Sequence, residues 1–226
     1  VTGVQTCALP ISSAAATVLG LMLCLARLAP TRWLAWPALA WLSVFRNTPL
    51  LVQLFFWYFG LAALMPQGLL EWLNTPHYWH LVFFDVSWPP FEYVAGFVGL
   101  TLFTSAFIAE EFRAGVRGVP TTQTAAARAL GLRPLQIWRH VVIPQAFRIA
   151  LPPLLGQYMN AVKNSSLTMA IGLAELSYAS RQVETETFKT FQAFGIATLL
   201  YIGTVALIEL AGQWVQRRNP TLGAAR

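Results

Sequence analysis

Lys163 is the residue of this chain whose setting most needs a chemical reason. It lies within an apolar stretch, Ile149 to Ala174, and Asn164, Ser165 and Ser166 follow at once. An ammonium in such a stretch costs at least ~2.5–3.5 kcal/mol on insertion scales, so it faces a partner, a watery path or the interface. In one reading this segment lines a translocation path: Lys163 attracts a carboxylate and the next three side chains add donors and acceptors. In the others Lys163 pairs with Glu110 or Glu209, or snorkels to the membrane boundary. Glu110 has two readings as well, a member of that path or an end-of-helix ion pair with nearby Arg113.

The remaining reactive side chains form no catalytic pattern. His77 and His80 make H-x-x-H, but no third ligand is near, and an aromatic-rich loop explains them. Cys7 and Cys24 supply neither a disulfide framework nor metal-ligand spacing. Neither Lys163 nor Lys189 follows a glycine, so the chain has no G-K-[ST] phosphate loop. It also has no G-x-G, H-E-x-x-H or C-x-x-C. A self-contained catalyst with its own cofactor or metal is not expected.

The elements that would position these residues follow from composition. The chain has 226 residues, 56% hydrophobic and only 11% charged, against about 25% charged in an average soluble domain. Four charge-free runs, and a fifth apolar stretch interrupted only by Lys163, mark five candidate spans, roughly 8–27, 48–66, 93–112, 151–171 and 193–214. Of 15 basic residues, 12 fall in the segments after spans one and three and in the tail. Basic residues stay on the cytoplasmic side. The N-terminus is therefore expected outside, the C-terminus inside, and 113–150 cytoplasmic. The net charge of +6 is then a topology signal, not a nucleic-acid footprint. Residues 1–11 lack an initiator Met and a basic n-region, and are expected to be a non-native start. Residues 12–218 form one transmembrane domain and 219–226 a cytoplasmic tail. Trp33, Trp36 and Trp41 suit a short helix on the membrane surface or ordinary packing. Thr48 is placed to cap span two, with Pro49 in its first turn.

Residues 120–153 read PTTQTAAARALGLRPLQIWRHVVIPQAFRIALPP. Thr121 or Thr122 can cap a helix running to Leu130. Gly131 can end it in a left-handed turn. Pro134 starts a second helix and Pro144 breaks or kinks it. The expected outcome is two short helices at an angle between two spans.

These residues resemble the permease subunits of bacterial ATP-binding-cassette importers, whose hallmark is EAA, three residues, Gly, nine residues, then I-x-L-P. Here stand Ala125-Ala126-Ala127, then Arg128-Ala129-Leu130, Gly131, nine residues, and Val141-Val142-Ile143-Pro144. Ala125 replaces the acid, which removes any salt bridge made there but not the helix–turn–helix shape. RNTPLLVQLFFWYFG, LTLFTSAFIAEEFRAGVRGVP and VKNSSLTMAIGLAEL resemble further motifs of the polar amino-acid branch. Within it the sequence resembles the glutamate/aspartate and general L-amino-acid permeases.

The resemblance implies an all-α membrane protein of about five helices with the type I importer fold and a cytoplasmic coupling loop at 120–150. It implies ATPase coupling through Ala125, Ala126, Ala127, Arg128, Gly131 and Pro144. It implies as partners a cassette ATPase dimer that binds ATP and Mg, a second permease subunit, a periplasmic amino-acid-binding protein and the lipid bilayer of the inner membrane. A secondary transporter or channel without an ATPase is the alternative; it would show inverted repeats or several intramembrane ionisable residues.

Overall fold

Where charge is sparse the backbone must satisfy itself, and in a bilayer a helix does so within one segment. The computed structural model describes residues 8–75, 78–81, 84–87 and 89–218. In chain order come α1 (Ala8–Leu28), α2 (Arg32–Asn47), α3 (Leu50–Leu64) and α4 (Gln67–Asn74). A hairpin of β1 (Tyr78–Leu81) and β2 (Phe84–Ser87) follows, antiparallel, with Tyr78 opposite Ser87. Then come α5 (Phe91–Arg117), α6 (Thr121–Ala129), α7 (Pro134–Ile137), α8 (Ile143–Ser165), α9 (Leu176–Thr187) and α10 (Thr190–Arg218).

Three helices, α1, α5 and α10, are each long and apolar enough to cross a membrane; α2 and α3, bent by 106° at their junction, add a fourth only if the pair is counted as one broken span rather than a re-entrant loop. The fifth expected span, 151–171, begins inside α8 and continues through a 3-10 turn, Ser166–Ile171. By composition α8 is less apolar than the others: Gln145, Arg148, Gln157, Asn160 and Lys163 interrupt it. His77 and the side chain of His80 lie outside the described residues, as do residues 1–7 of the suspected start at 1–11; its last four residues open α1. The hairpin and α4 were not legible in the loop 66–92, which reads only as a proline-punctuated connection.

The bend between α2 and α3 is held differently from the sequence expectation. Thr48 does not cap α3. Its hydroxyl donates back to the Val44 carbonyl (2.8 Å), and Pro49 occupies the N-cap. Gln53, buried, holds the corner: its Nε2 donates to the carbonyls of Phe45 (3.0 Å) and Thr48 (3.1 Å). A side-chain amide thus satisfies the last carbonyls of one helix from inside the next.

α5 is the central element. Gly96, Gly99, Ser105, Ala106, Ala109 and Gly115 are buried along it. Small residues let backbones approach where lipid gives no hydrophobic drive between helices. A Cβ at Gly115 would lie 2.4 Å from the Ala146 carbonyl oxygen of α8. At the other end of α5, Gly96 faces Leu173 and Thr168. These two contacts show that α8, with the 3-10 turn that follows it, runs antiparallel to α5. Leu50, Leu54, Leu100 and Leu173 form one core cluster, and Ala16, Ile108, Ala150 and Leu154 another. In contrast α10 leaves Ile196, Leu199, Leu207 and Leu210 exposed.

Gly115→Ala is expected to destabilise the bundle by about 1–3 kcal/mol, because a backbone oxygen rather than a flexible side chain must move. Gly156→Ala, with open space around its Cβ position, should be neutral. Thermal unfolding of both variants in detergent checks this; equal midpoints would refute the close approach.

Candidate functional site

The helix–turn–helix at 120–144 is built by one glycine. Gly131 has φ +78°, the left-handed conformation. Its N–H donates to the Arg128 carbonyl (2.9 Å), and the Leu132 N–H reaches back to Ala127 (3.2 Å). That pair of bonds closes α6 and turns the chain sharply. One expectation is corrected here. Pro120, not Thr121 or Thr122, is the N-cap of α6, and no side chain caps it. The Thr124 hydroxyl instead bonds the Thr121 carbonyl (2.8 Å).

Of the two outcomes expected at Pro144, a break does not occur. A π turn, Trp138–Val142, precedes the proline, and the Ile143 N–H donates to Trp138. The wider turn shifts the register just where proline removes a donor, so α7 runs through it into α8. The Arg133 N–H is satisfied by the Gln136 side chain (2.8 Å), which starts α7.

Of the expected coupling residues, Ala127 is buried with Val119, Ile137, Val142 and Ala146, while Ala125, Ala126, Arg128 and Pro144 are exposed. Leu130 is 82% and Leu135 79% exposed. Two large apolar side chains therefore flank the Gly131 turn at the tip of the elbow. Spacing alone did not single them out; the signal was their position on either side of the glycine.

Lys163 occupies the last turn of α8 and its side chain is exposed. Among the described residues it makes no ion pair. Glu110 is engaged elsewhere: Arg113 holds it through Nε (3.1 Å to each carboxylate oxygen) and Nη2, with Arg46 at 3.8 Å. Among the described residues, Glu209 accepts from Gln213 (3.3 Å). The pairing of Lys163 with Glu110 or Glu209 is thus not realised. The carbonyl end of α8 supplies a partial negative charge that suits a cation there.

The helix changes character after Lys163. The Ser165 and Ser166 hydroxyls bond back to Val162 (2.8 Å) and Lys163 (2.7 Å). The 3-10 turn follows, and Gly172 (φ +82°) ends it. Gly172 bonds Met169 and Leu173 bonds Thr168, repeating the arrangement at Gly131. Glu110 sits in the half of α5 near Gly115, whereas Lys163 to Ser166 lie toward Gly96. The structure therefore does not bring Glu110 together with the rest of the proposed path.

Two further polar contacts cross the bundle. Gln157 donates to Glu111 (2.9 Å), and Thr17 meets Tyr158 (2.8 Å). Beyond the 3-10 turn, Glu175 caps α9 by accepting from Ser177 and Tyr178 (2.9 Å each). The Tyr201 hydroxyl donates to the same carboxylate (2.6 Å), tying α10 to α9. Glu175 reads in sequence as one more loop acid; its capping role follows from an extended backbone at the residue before α9.

A multi-span helical bundle with a glycine-turned elbow between two membrane helices is the architecture of an importer's membrane component. The chain belongs to the family of inner membrane components of binding-protein-dependent transport systems, whose model matches residues 16–219. It is 31% identical over 85% of its length, and 74% of the relative's, to the glutamate/aspartate import permease protein GltJ of Escherichia coli K12. The probable glutamine ABC transporter permease protein GlnM of Bacillus subtilis is 32% identical, over 92% and 86% of the two chains. Among solved structures, an amino acid ABC transporter crystallised with histidines superposes with a TM-score of 0.76 at 26% identity, covering 93% of this chain and 88% of that one. The inward-facing methionine transporter MetNI shares the fold, with a TM-score of 0.67 at 21% identity. The chain is a transport component of the inner membrane rather than an enzyme.

Gly131→Val should strain the elbow by about 1–2 kcal/mol, since a β-branched residue resists a left-handed turn. Gly131→Asn tolerates that conformation and should behave nearly as wild type. Limited proteolysis between Ala129 and Arg133 reads the difference; equal cleavage of both variants would refute a turn that depends on positive φ.

Proposed function

We propose that this chain forms, with a second permease subunit, the passage of an ATP-driven importer for polar amino acids. The elbow at Gly131, presenting Leu130 and Leu135, is the observation that carries the reading. It is an apolar tip on a basic face, suited to seat in a groove of a cassette ATPase dimer. Ala125, Ala126, Ala127, Arg128 and Pro144 shape that face. The continuous run from α7 through the π turn into α8 then delivers a movement of the tip to Lys163. ATP and Mg bind the partner ATPase, and a periplasmic binding protein delivers the substrate. Polar amino acids are favoured as cargo by the names of the relatives, glutamate/aspartate and glutamine permeases among them.

Lys163, with Asn164 beside it, meets the carboxylate of the passing amino acid; the Ser165 and Ser166 hydroxyls, whose protons go to the Val162 and Lys163 carbonyls, shape the segment that carries them. An exposed cation at the end of a helix that then unwinds resembles the discontinuous helices at transporter sites. Glu110 is set aside from this path by its pairing with Arg113 and Arg46. The basic end of the bundle faces the cytoplasm and the N-terminus faces outward, on the partition of basic residues.

Uptake of labelled glutamate and glutamine into proteoliposomes, with and without the ATPase subunit and ATP, tests the function. Uptake without the ATPase would favour the secondary-transporter alternative. In the same assay Lys163→Met should lower uptake about tenfold or more, the scale of a hydrogen bond to a charged group, with normal abundance. Unchanged uptake would remove Lys163 from the path. For orientation, cysteines at Gln67 and Gln123 are probed with an impermeant thiol reagent in intact cells. Labelling at 67 and not at 123 is expected, and the reverse would overturn the topology.

A further inference from the structure

A pocket of about 390 Å³ lies where α1, α2 and α5 meet, lined by Arg27, Ser43, Arg46, Asn47, Glu110 and Arg113 on its polar side. Three guanidinium groups from three helices converge on it. One carboxylate, Glu110, stands among them, and Arg113 grips it with two of its nitrogens. Arg46 reaches it only at 3.8 Å and otherwise lies over the Phe107 ring, 5.6 Å from its centroid. One negative charge cannot balance three positive ones, so the pocket keeps a net charge of about two. Arg27 shows the imbalance most directly. Its Nε is buried and, among the described residues, has no hydrogen-bond partner. A buried guanidinium N–H left without an acceptor is costly.

We propose that this pocket binds the phosphate of an anionic phospholipid. A phosphate carries the charge the pocket lacks, and its oxygens match the planar donor fork of arginine. The location selects a lipid phosphate over a free one. Arg27 is in the last turn of α1 and Arg46 in the last turn of α2. Arg113 is one turn from the end of α5. These are the helix ends, where headgroups lie. Leu39 and Leu42 form the apolar wall of the pocket, suited to the glycerol backbone and upper acyl chains. On the same helix α2, Trp33 is 92% and Trp36 66% exposed, and tryptophan favours the membrane boundary. Basic pockets between transmembrane helices are where acidic headgroups seat. A bound headgroup ties the ends of α1 and α2 to α5 and steadies the α2–α3 bend.

The test is native mass spectrometry of the purified full chain, loaded with phosphatidylglycerol or with phosphatidylcholine. The wild type should retain phosphatidylglycerol selectively. Arg27→Gln and Arg46→Gln should each weaken retention about fivefold, and the pair more than tenfold, on the usual scale of a basic residue near a charged membrane surface. Arg32→Gln, on the same helix but outside the pocket, should not. Arg27→Lys keeps the charge and loses the Nε donor; it serves if the double variant fails to accumulate, and should still lose several-fold. Neither inorganic phosphate nor L-glutamate at millimolar concentration should displace the lipid. Equal retention in Arg27→Lys and wild type, equal retention of the two lipids, or displacement by phosphate or glutamate would overturn the proposal.

Discussion

The rest of the molecule depends on how closely α5 approaches its neighbours. At Gly115 the α8 backbone comes so near that a single methyl group would collide with the Ala146 carbonyl. At Gly20 the α1 backbone leaves no room for a Cβ beside Ile108, and at Gly99 the obstacle is Leu54. In a bilayer the surrounding lipid is as apolar as the helices, so such packing carries the association. Once α5 and α8 are locked antiparallel, the position of every polar group on them is set. Glu111 then meets Gln157, Glu110 turns to the α1–α2 side, and Lys163 is carried toward the opposite end.

That arrangement makes one mechanical unit of α7, the π turn and α8. Proline would ordinarily separate a short elbow helix from the span after it. Here the π turn absorbs the missing donor of Pro144, and the helix runs on. This unit lies between two glycine turns, one at 131 that closes α6 before it and one at 172 that closes the 3-10 turn after it, each made by the same pair of backbone bonds. Between two such fixed turns, a displacement of the exposed elbow has a stiff route to the polar end of α8. α9 and α10 follow through the Glu175–Tyr201 contact, which gives the otherwise sparsely packed α10 a polar anchor.

Charge is handled in two ways along the bundle. Lys163 is exposed at a helix end and needs only the local dipole and water. The arginine cluster around Glu110 sits in a pocket, and its surplus charge calls for an outside anion. The difference comes from surroundings rather than residue type: one cation borders open space, while three others are gathered between helix ends.

Much of this was readable from sequence because the bilayer enforces a simple rule. Long charge-free runs must become helices, so α1, α3, α5 and α10 follow from composition, and the partition of arginines follows from the cost of moving them across. Gly131 was legible too, since a glycine between a helical run and a proline has few other uses. What spacing could not reveal were interactions between distant segments. Nothing near Glu110 in sequence says that Arg46, rather than Lys163, is its second partner. No local pattern marks Gln53 as the residue that closes α2, or Glu175 as the acceptor of the Tyr201 hydroxyl. The π turn at Trp138–Val142 was hidden as well, because proline alone signals a break and only continuation into a packed α8 makes the wider turn worth its strain. The sequence by itself determined which segments become long apolar helices. The tertiary structure decided which polar groups meet, because that depends on the close approach of α5 to its neighbours.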